Sequence, residues 1–133
     1  MPKEPVRPLF VIQKHNASHL HYDFRLERDG VLKSWAIPKE PPRVEGVRRL
    51  AVQVEDHELS YTDFQGTIAE GLYGAGTVMT WDKGYYSPVK YEESEIIIEL
   101  YGKKMKGTYC LIKLKPKLPQ DKNWLFFKKK AGR

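Results

Sequence analysis

The run L-H-Y-D-F-R-L-E-R-D-G-V-L-K-S-W-A-I, Leu20 to Ile37, decides the fold. Leu20, Tyr22, Phe24 and Leu26 recur at every second position with polar residues between them, the period of a strand with one buried face. Arg28-Asp29-Gly30 is a turn signal, and a second stretch of strand character, Val31 to Ile37, follows it directly. The two segments, Leu20 to Glu27 and Val31 to Ile37, read as a β-hairpin, with Trp35 and Ile37 sharing the core of the first strand.

The other face of that first strand carries chemistry. In K-H-N-A-S-H-L-H-Y-D-F-R, Lys14 to Arg25, lie three of the chain's four histidines, and His19, His21, Asp23 and Arg25 share one parity. Neutral imidazole and carboxylate are ligands for a borderline divalent cation, and a guanidinium two positions beyond the carboxylate suits a two-pronged grip on phosphate. The stretch therefore reads as metal plus phosphate. A strand face that merely meets water also shows polar residues, but lysine or glutamate would serve there as well as clustered imidazoles.

Outward from the hairpin, Pro2, Pro5 and Pro8 make residues 1–8 a loose arm, and Leu9 to Gln13 suits an edge strand. Pro38, Pro41, Pro42 and Gly46 interrupt regular structure until about Arg49. The run R-L-A-V-Q-V-E-D-H-E-L-S-Y then alternates again, with Leu50, Val52 and Val54 on the apolar side and Arg49, Gln53, Glu55 and His57 on the polar side, Tyr61 following. Two strands of this kind, apolar behind and polar in front, would serve a shared pocket in a barrel or cupped sheet.

Phe64 to Ala69 is a short strand candidate. Gly71, Gly74 and Gly76 do not make a nucleotide-binding loop, because no lysine-serine or lysine-threonine pair and no amphipathic helix follows; they serve tight turning before Thr77 to Trp81. Asp82-Lys83-Gly84 reads as a turn and Ser87 to Glu93 as loop or ragged edge. Glu95 to Leu100, Thr108 to Leu114 and Trp124 to Lys128 are strands by content and length. About eight short strands with turn chemistry between them and little helix predict a mainly β fold, a closed or nearly closed barrel.

The whole chain, 1–133, is the modal size of one domain. Hydrophobic residues at 41% and charged ones at 30% fit a soluble globular protein, and no apolar run approaches a membrane span. The opening residues lack an apolar signal core and Cys110 is solitary among apolar neighbours, so a cytoplasmic setting is expected and Cys110 belongs to the core. Net charge is +6, and residues 101–133 hold eleven Lys plus Arg against the single acid Asp121. That footprint favours a nucleic-acid backbone, and Lys113 and Lys115, alternating with Ile112 and Leu114, are expected to face solvent and track it.

Six blocks in order now carry a resemblance: F-V-I-Q-K-H at Phe10 to His15, L-H-Y-D-F-R-L-E at Leu20 to Glu27, K-S-W-A-I-P-K at Lys33 to Lys39, R-R-L-A-V at Arg48 to Val52, V-E-D-H at Val54 to His57, and E-G-L-Y-G-A-G at Glu70 to Gly76. Together they resemble the 3′-phosphoesterase domain of bacterial ATP-dependent DNA ligase D and its small stand-alone relatives, over about Leu9 to Phe127. The resemblance implies a β-barrel with a concave, metal-containing site that trims 3′ ends in DNA repair by non-homologous end joining. Members remove a 3′-terminal ribonucleoside and then the 3′-phosphate, leaving a 3′-hydroxyl, with manganese preferred among divalent transition metals. Carried over residue by residue, it makes His15, His21 and Asp23 the metal ligands and Arg25, His57 and Tyr61 contacts to the scissile phosphate. Lys39, Arg49 and Glu55 match supporting positions, and His19 falls outside the ligand set despite its parity. Implied partners are DNA or RNA 3′ ends in a primer-template duplex, with a separate ligase or other end-joining proteins, and no membrane. Leu72 departs from the family's pattern in E-G-x-Y, which bears on the ribonucleoside-removing step more than on the phosphatase step.

Two imidazoles and a carboxylate leave coordination positions open for a phosphate oxygen and a water of lowered pKa. No serine, cysteine or aspartate is set up as a covalent nucleophile, so direct attack by water is expected. Two rival classes share parts of the pattern. A non-catalytic single-strand-binding barrel explains the lysines and aromatics without needing Asp23 among histidines, and a cupin-like metallo-hydrolase or oxygenase explains the ligands without the basic third.

Overall fold

The computed structural model describes residues 6–69 and 75–130. Its elements are β1(Leu9–Asn16), β2(Leu20–Arg28), β3(Val31–Ile37), β4(Arg48–His57), the 3-10 turn η1(Leu59–Asp63), β5(Gly66–Ile68), β6(Gly76–Tyr91), β7(Glu95–Tyr101), β8(Lys106–Lys113) and β9(Asn123–Lys128). The strand order is β1-β2-β3-β4-β9-β8-β7-β6-β5, every pairing is antiparallel, and β1 also pairs with β6. That last pairing closes an eight-stranded barrel and leaves the three-residue β5 as an addition on the wall. Closure removes the exposed edges of the sheet.

The expected hairpin is β2 and β3, in a register that sets Tyr22 against Ile37 and Phe24 against Trp35. Its turn residues Asp29 and Gly30 both take positive φ, +54° and +80°. A two-residue turn of that hand matches the twist of the flanking strands and tolerates only such residue types. The alternating apolar residues fill the barrel: Phe24 stacks on Phe126 at 4.8 Å and Trp35 meets Trp124 edge-on at 5.7 Å, with Phe10, Ile12, Leu26, Ile98 and Leu100 around them. Cys110 is buried, and burial pushes its thiol pKa up.

Four readings of the sequence are corrected. Strand β1 is not an edge: it runs eight residues and pairs with both β2 and β6. Asp82-Lys83-Gly84 is not a turn, and the chain continues as strand β6 through Tyr91 in place of the expected loop. The Asp82 side chain, buried at the barrel end, accepts hydrogen bonds from the backbone N–H groups of Lys103, Lys104 and Met105 at 2.7–3.1 Å. A Cβ at Gly84 would run into the Tyr101 carbonyl; both turn-forming residue types are thus spent on strand-to-strand contacts. The fourth correction concerns β4. Ala51 is fully buried while Leu50 is 42% exposed, and Gln53 pairs with Trp35, so the parity assigned to this strand is inverted over its first half. An irregularity opposite Leu32 and Ser34 then adds one residue to β4 and returns His57 to the outer wall.

The chain after His57 crosses that outer wall as a strap. Thr62 in η1 is buried, Asp63 pairs with Lys83, and Gln65 accepts a hydrogen bond from the Thr80 N–H at 2.9 Å. Residues Glu70 to Gly74 of the glycine block lie outside the described residues, as does most of the N-terminal arm.

Candidate metal and phosphate site

Because β1 and β2 are antiparallel with His15 opposite His21, Gln13 opposite Asp23 and Val11 opposite Arg25, one row of side chains from each strand shares a face. That face is the outside of the barrel, since Phe10, Ile12, Tyr22 and Phe24 take the inside. His15, Asp23, Arg25, Gln13 and Ser34 are nonetheless buried.

The ligand atoms of His15, His21 and Asp23 lie within 4.8 Å of one another. Asp23 Oδ2 is 3.4 Å from His21 Nε2 and 3.6 Å from His15 Nδ1, separations open to two ligands of one ion when each bond is about 2.1 Å. The His19 carbonyl accepts from His21 Nδ1 at 3.1 Å, which aims Nε2 at Asp23 as the nitrogen that would give up its proton to ligate a metal. His19 thus serves through its backbone, with its side chain exposed in the β1–β2 turn. Burial pushes the Asp23 carboxyl up, but the hydrogen bond with His21 and the charges of Arg25 and the histidines outweigh it and hold Asp23 below its ordinary range. The same hydrogen bond raises His21 against the opposing effect of burial. A preformed anion flanked by two imidazoles is a donor set that fits a divalent transition metal.

Arg25 is fixed on every side. Its Nε donates to Gln13 Oε1 at 2.8 Å, one terminal nitrogen donates to Ser34 Oγ at 2.8 Å and to His57 Nδ1 at 3.0 Å, and the other lies 3.6 Å from Asp23 Oδ2. A buried guanidinium is costly unless its donors are met; these partners take Nε and one terminal nitrogen, and the other terminal nitrogen keeps N–H groups to give beside Asp23. Its carbon also sits 4.9 Å from the centre of the Tyr61 ring. Arginine only donates, so Nδ1 of His57 accepts and its proton is on Nε2; the Glu55 carbonyl, 3.2 Å from Nδ1, is then a neighbour without a bond. Burial and the Arg25 charge both lower the His57 pKa, keeping it neutral with an outward Nε2–H. Burial raises the Tyr61 pKa, partly offset by Arg25, so its hydroxyl stays a donor.

The structure therefore brings together His15, His21, Asp23, Arg25, His57 and Tyr61. It groups Lys39 and Arg49 in a separate cleft, while Glu55 adjoins His57 through its backbone carbonyl. Lys39 and Arg49 line a cleft of about 260 Å³ with Pro38, Arg48 and Leu50, and Arg49 Nε donates to the Glu40 carbonyl at 2.7 Å. Strand β4, which carries Arg49 and Leu50, is two strands from β2 in the wall, about 10 Å away. Glu55 is exposed at the irregularity of β4. Two residues went unremarked in the sequence, Gln13 and Ser34. Gln13 joins Arg25 to the strap, donating to the Tyr61 carbonyl at 2.7 Å. The only signal for Gln13 was a polar residue closing the apolar run F-V-I-Q, and Ser34, beside Lys33 in L-K-S-W, carried none.

Residues 13–113 match the family model of the DNA Ligase D 3'-phosphoesterase domain. The chain belongs to this family. It is 48% identical over 128 residues to the multifunctional non-homologous end joining protein LigD of Pseudomonas aeruginosa, covering 92% of this chain and 15% of that protein. The LigD of Mycolicibacterium smegmatis is 45% identical over 136 residues, with 94% and 17% covered, and that of Mycobacterium bovis 50% identical over 108 residues, with 78% and 14% covered. The chain thus spans roughly a sixth of the length of these relatives. Family membership makes it a phosphoesterase domain with a β-barrel frame. No helix among the described residues is long and apolar enough to cross a membrane.

Proposed function

We propose that the chain is a manganese-dependent phosphoesterase acting on 3′ ends of DNA or RNA, removing a terminal ribonucleoside and then the 3′-phosphate to leave a hydroxyl fit for ligation. The observation that carries this reading is the continuity of the site: Asp23 touches both imidazoles of the ligand group and the guanidinium of Arg25, which in turn holds His57. A cation position and an anion position therefore share one carboxylate.

His15, His21 and Asp23 would hold the metal, which when bound supplies a Lewis acid and lowers the pKa of water. Arg25 presents the terminal nitrogen facing Asp23 to phosphate oxygen, its plane fixed by Gln13, Ser34 and His57. His57 donates through Nε2 to a further oxygen and stays uncharged because Arg25 occupies Nδ1. Tyr61, neutral at physiological pH, donates to the leaving oxygen. Gln13 keeps Arg25 and the strap in step. Lys39 and Arg49, about two strands away, meet a more distant phosphate of the same chain, and Glu55 acts from the rim. Primer-template ends are the substrate we infer, in the cytoplasm, with a ligase and end-joining proteins as partners.

The test is hydrolysis of a 3′-phosphate oligonucleotide and of one ending in a ribonucleotide, each with and without manganese. Turnover that needs the metal, on both ends, is the expected result. Binding without turnover would make the chain a nucleic-acid-binding barrel.

A further inference from the structure

The barrel rim next to the ligand group carries an apolar and cationic patch that the reaction does not use. On β1, β2 and β6 the positions opposite in parity to His15 and His21 are Lys14, Tyr22 and Met79, with Lys14 in register with both Tyr22 and Met79 and Leu20 in register with Asn16. Deeper in the barrel this parity makes the core. At the rim it opens to solvent: Leu20 is 45% and Met79 58% exposed, and Lys14 is exposed between them. Trp81 closes the patch below, held edge-on by Tyr22 at 5.7 Å and capped by the Lys104 ammonium 4.5 Å above its ring. Lys104 comes from the β7–β8 turn, a separate element that brings a second cation to the same rim.

We propose that this rim is a subsite for the terminal nucleobases of the strand whose 3′ end enters the site, an inference that rests on the phosphoesterase reading. Apolar side chains around a half-buried aromatic ring, Trp81, beside ammonium groups suit single-stranded nucleic acid, bases on the apolar atoms and phosphates on the lysines. Charge complementarity selects a polyanion over an apolar peptide. Continuity selects the same polyanion that the site holds, because Lys14 precedes His15 and Leu20 precedes His21 in the chain. A strand end lying over the rim puts its phosphate on the outer wall and its bases on Leu20 and Met79.

The experiment uses metal-freed protein, so that nothing turns over, and measures the binding of a labelled single-stranded oligonucleotide with a 3′-phosphate by fluorescence anisotropy. A second probe is identical except for abasic sites at the last two positions. The parent is expected to prefer the base-bearing end about tenfold, and the double variant Leu20→Asn/Met79→Asn to bind both probes with the weaker affinity. Both positions are exposed, and circular dichroism checks that the variant folds. Val89→Asn, exposed at the other end of β6, should keep the preference. A double variant that retains the discrimination, or a parent that shows none, overturns the subsite. So does a dimer in sedimentation that the double variant dissociates while its oligonucleotide affinity is unchanged, since the patch would then bind a second copy. Hydrolysis by the parent with manganese is scored separately: discrimination without hydrolysis keeps the subsite and removes the phosphoesterase reading, and hydrolysis without discrimination does the reverse.

Discussion

A single carboxylate, Asp23, links the two halves of the site, and the residues around it should fail in two distinct ways. His15→Ala, His21→Ala and Asp23→Ala each remove a proposed ligand, so calorimetry should show manganese binding lost in all three, with little change in melting temperature for His21→Ala and a fall for Asp23→Ala, which leaves the buried Arg25 without its carboxylate. His19→Ala should bind as the parent does, because His19 contributes its carbonyl. Arg25→Lys keeps the charge and loses the planar donor set; turnover should fall roughly a hundredfold or more with metal content unchanged. His57→Ala should likewise keep its metal and lose both activities, and a His57→Ala protein without metal would make His57 a ligand. The period of two around Asp23 made the shared face of His21, Asp23 and Arg25 legible in the sequence but placed His19 with them, and His15 entered only through the family resemblance. Gln13 and Ser34 were not legible, because their partners stand on other strands, and one polar letter does not say which buried donor it satisfies.

Elements were legible where their contacts are local. The β2–β3 hairpin declares itself by alternation and by Asp29-Gly30, whose backbone only such residues take readily. Strand β6 did not, since Asp82 and Gly84 imitate a turn; what they serve is the β7–β8 turn and the Tyr101 carbonyl, about twenty residues on. In β4 the added residue reverses the parity midway, and no local signal marks a bulge whose cause is the register with β3. The strongest element-scale test is Asp82→Ala, which strands four backbone donors, those of Lys83, Lys103, Lys104 and Met105, the last in the buried interior. A loss of about 3 kcal/mol is expected, read as a fall in the urea midpoint at constant slope. A change within 0.5 kcal/mol, about the spread of ordinary surface substitutions, would show that the turn holds without its anchor.

Across the whole molecule, antiparallel order sorts the charge into two ends, which composition could not show. The β1–β2 and β7–β8 turns share one end, with Lys14 and Lys104, while Lys113, Lys115 and Lys117 lie on or beside the β8–β9 loop at the other. Neutralising Lys14 and Lys104 should therefore reduce the salt slope of oligonucleotide binding by roughly 0.7 per lost phosphate contact. Neutralising Lys113, Lys115 and Lys117 should leave the slope for a short strand unchanged. The barrel also carries its own pH limit. Burial raises Tyr91 and Tyr109 from the ordinary 10.0 to about 12, and pushes Tyr86 up further. Each of these phenols holds its proton to a higher pH when folded than when unfolded. Their contribution is thus complete below about pH 10 and is lost as pH climbs through about 12. The Tyr109 hydroxyl is buried and has no hydrogen-bond partner among the described residues, so Tyr109→Phe removes an ionisable group at no cost in bonding. Urea midpoints measured at pH 8, 10 and 11 should begin to fall for the parent at pH 10 and fall further at pH 11, and should fall less for Tyr109→Phe. Parallel curves for the two proteins would locate the alkaline limit in groups other than Tyr109.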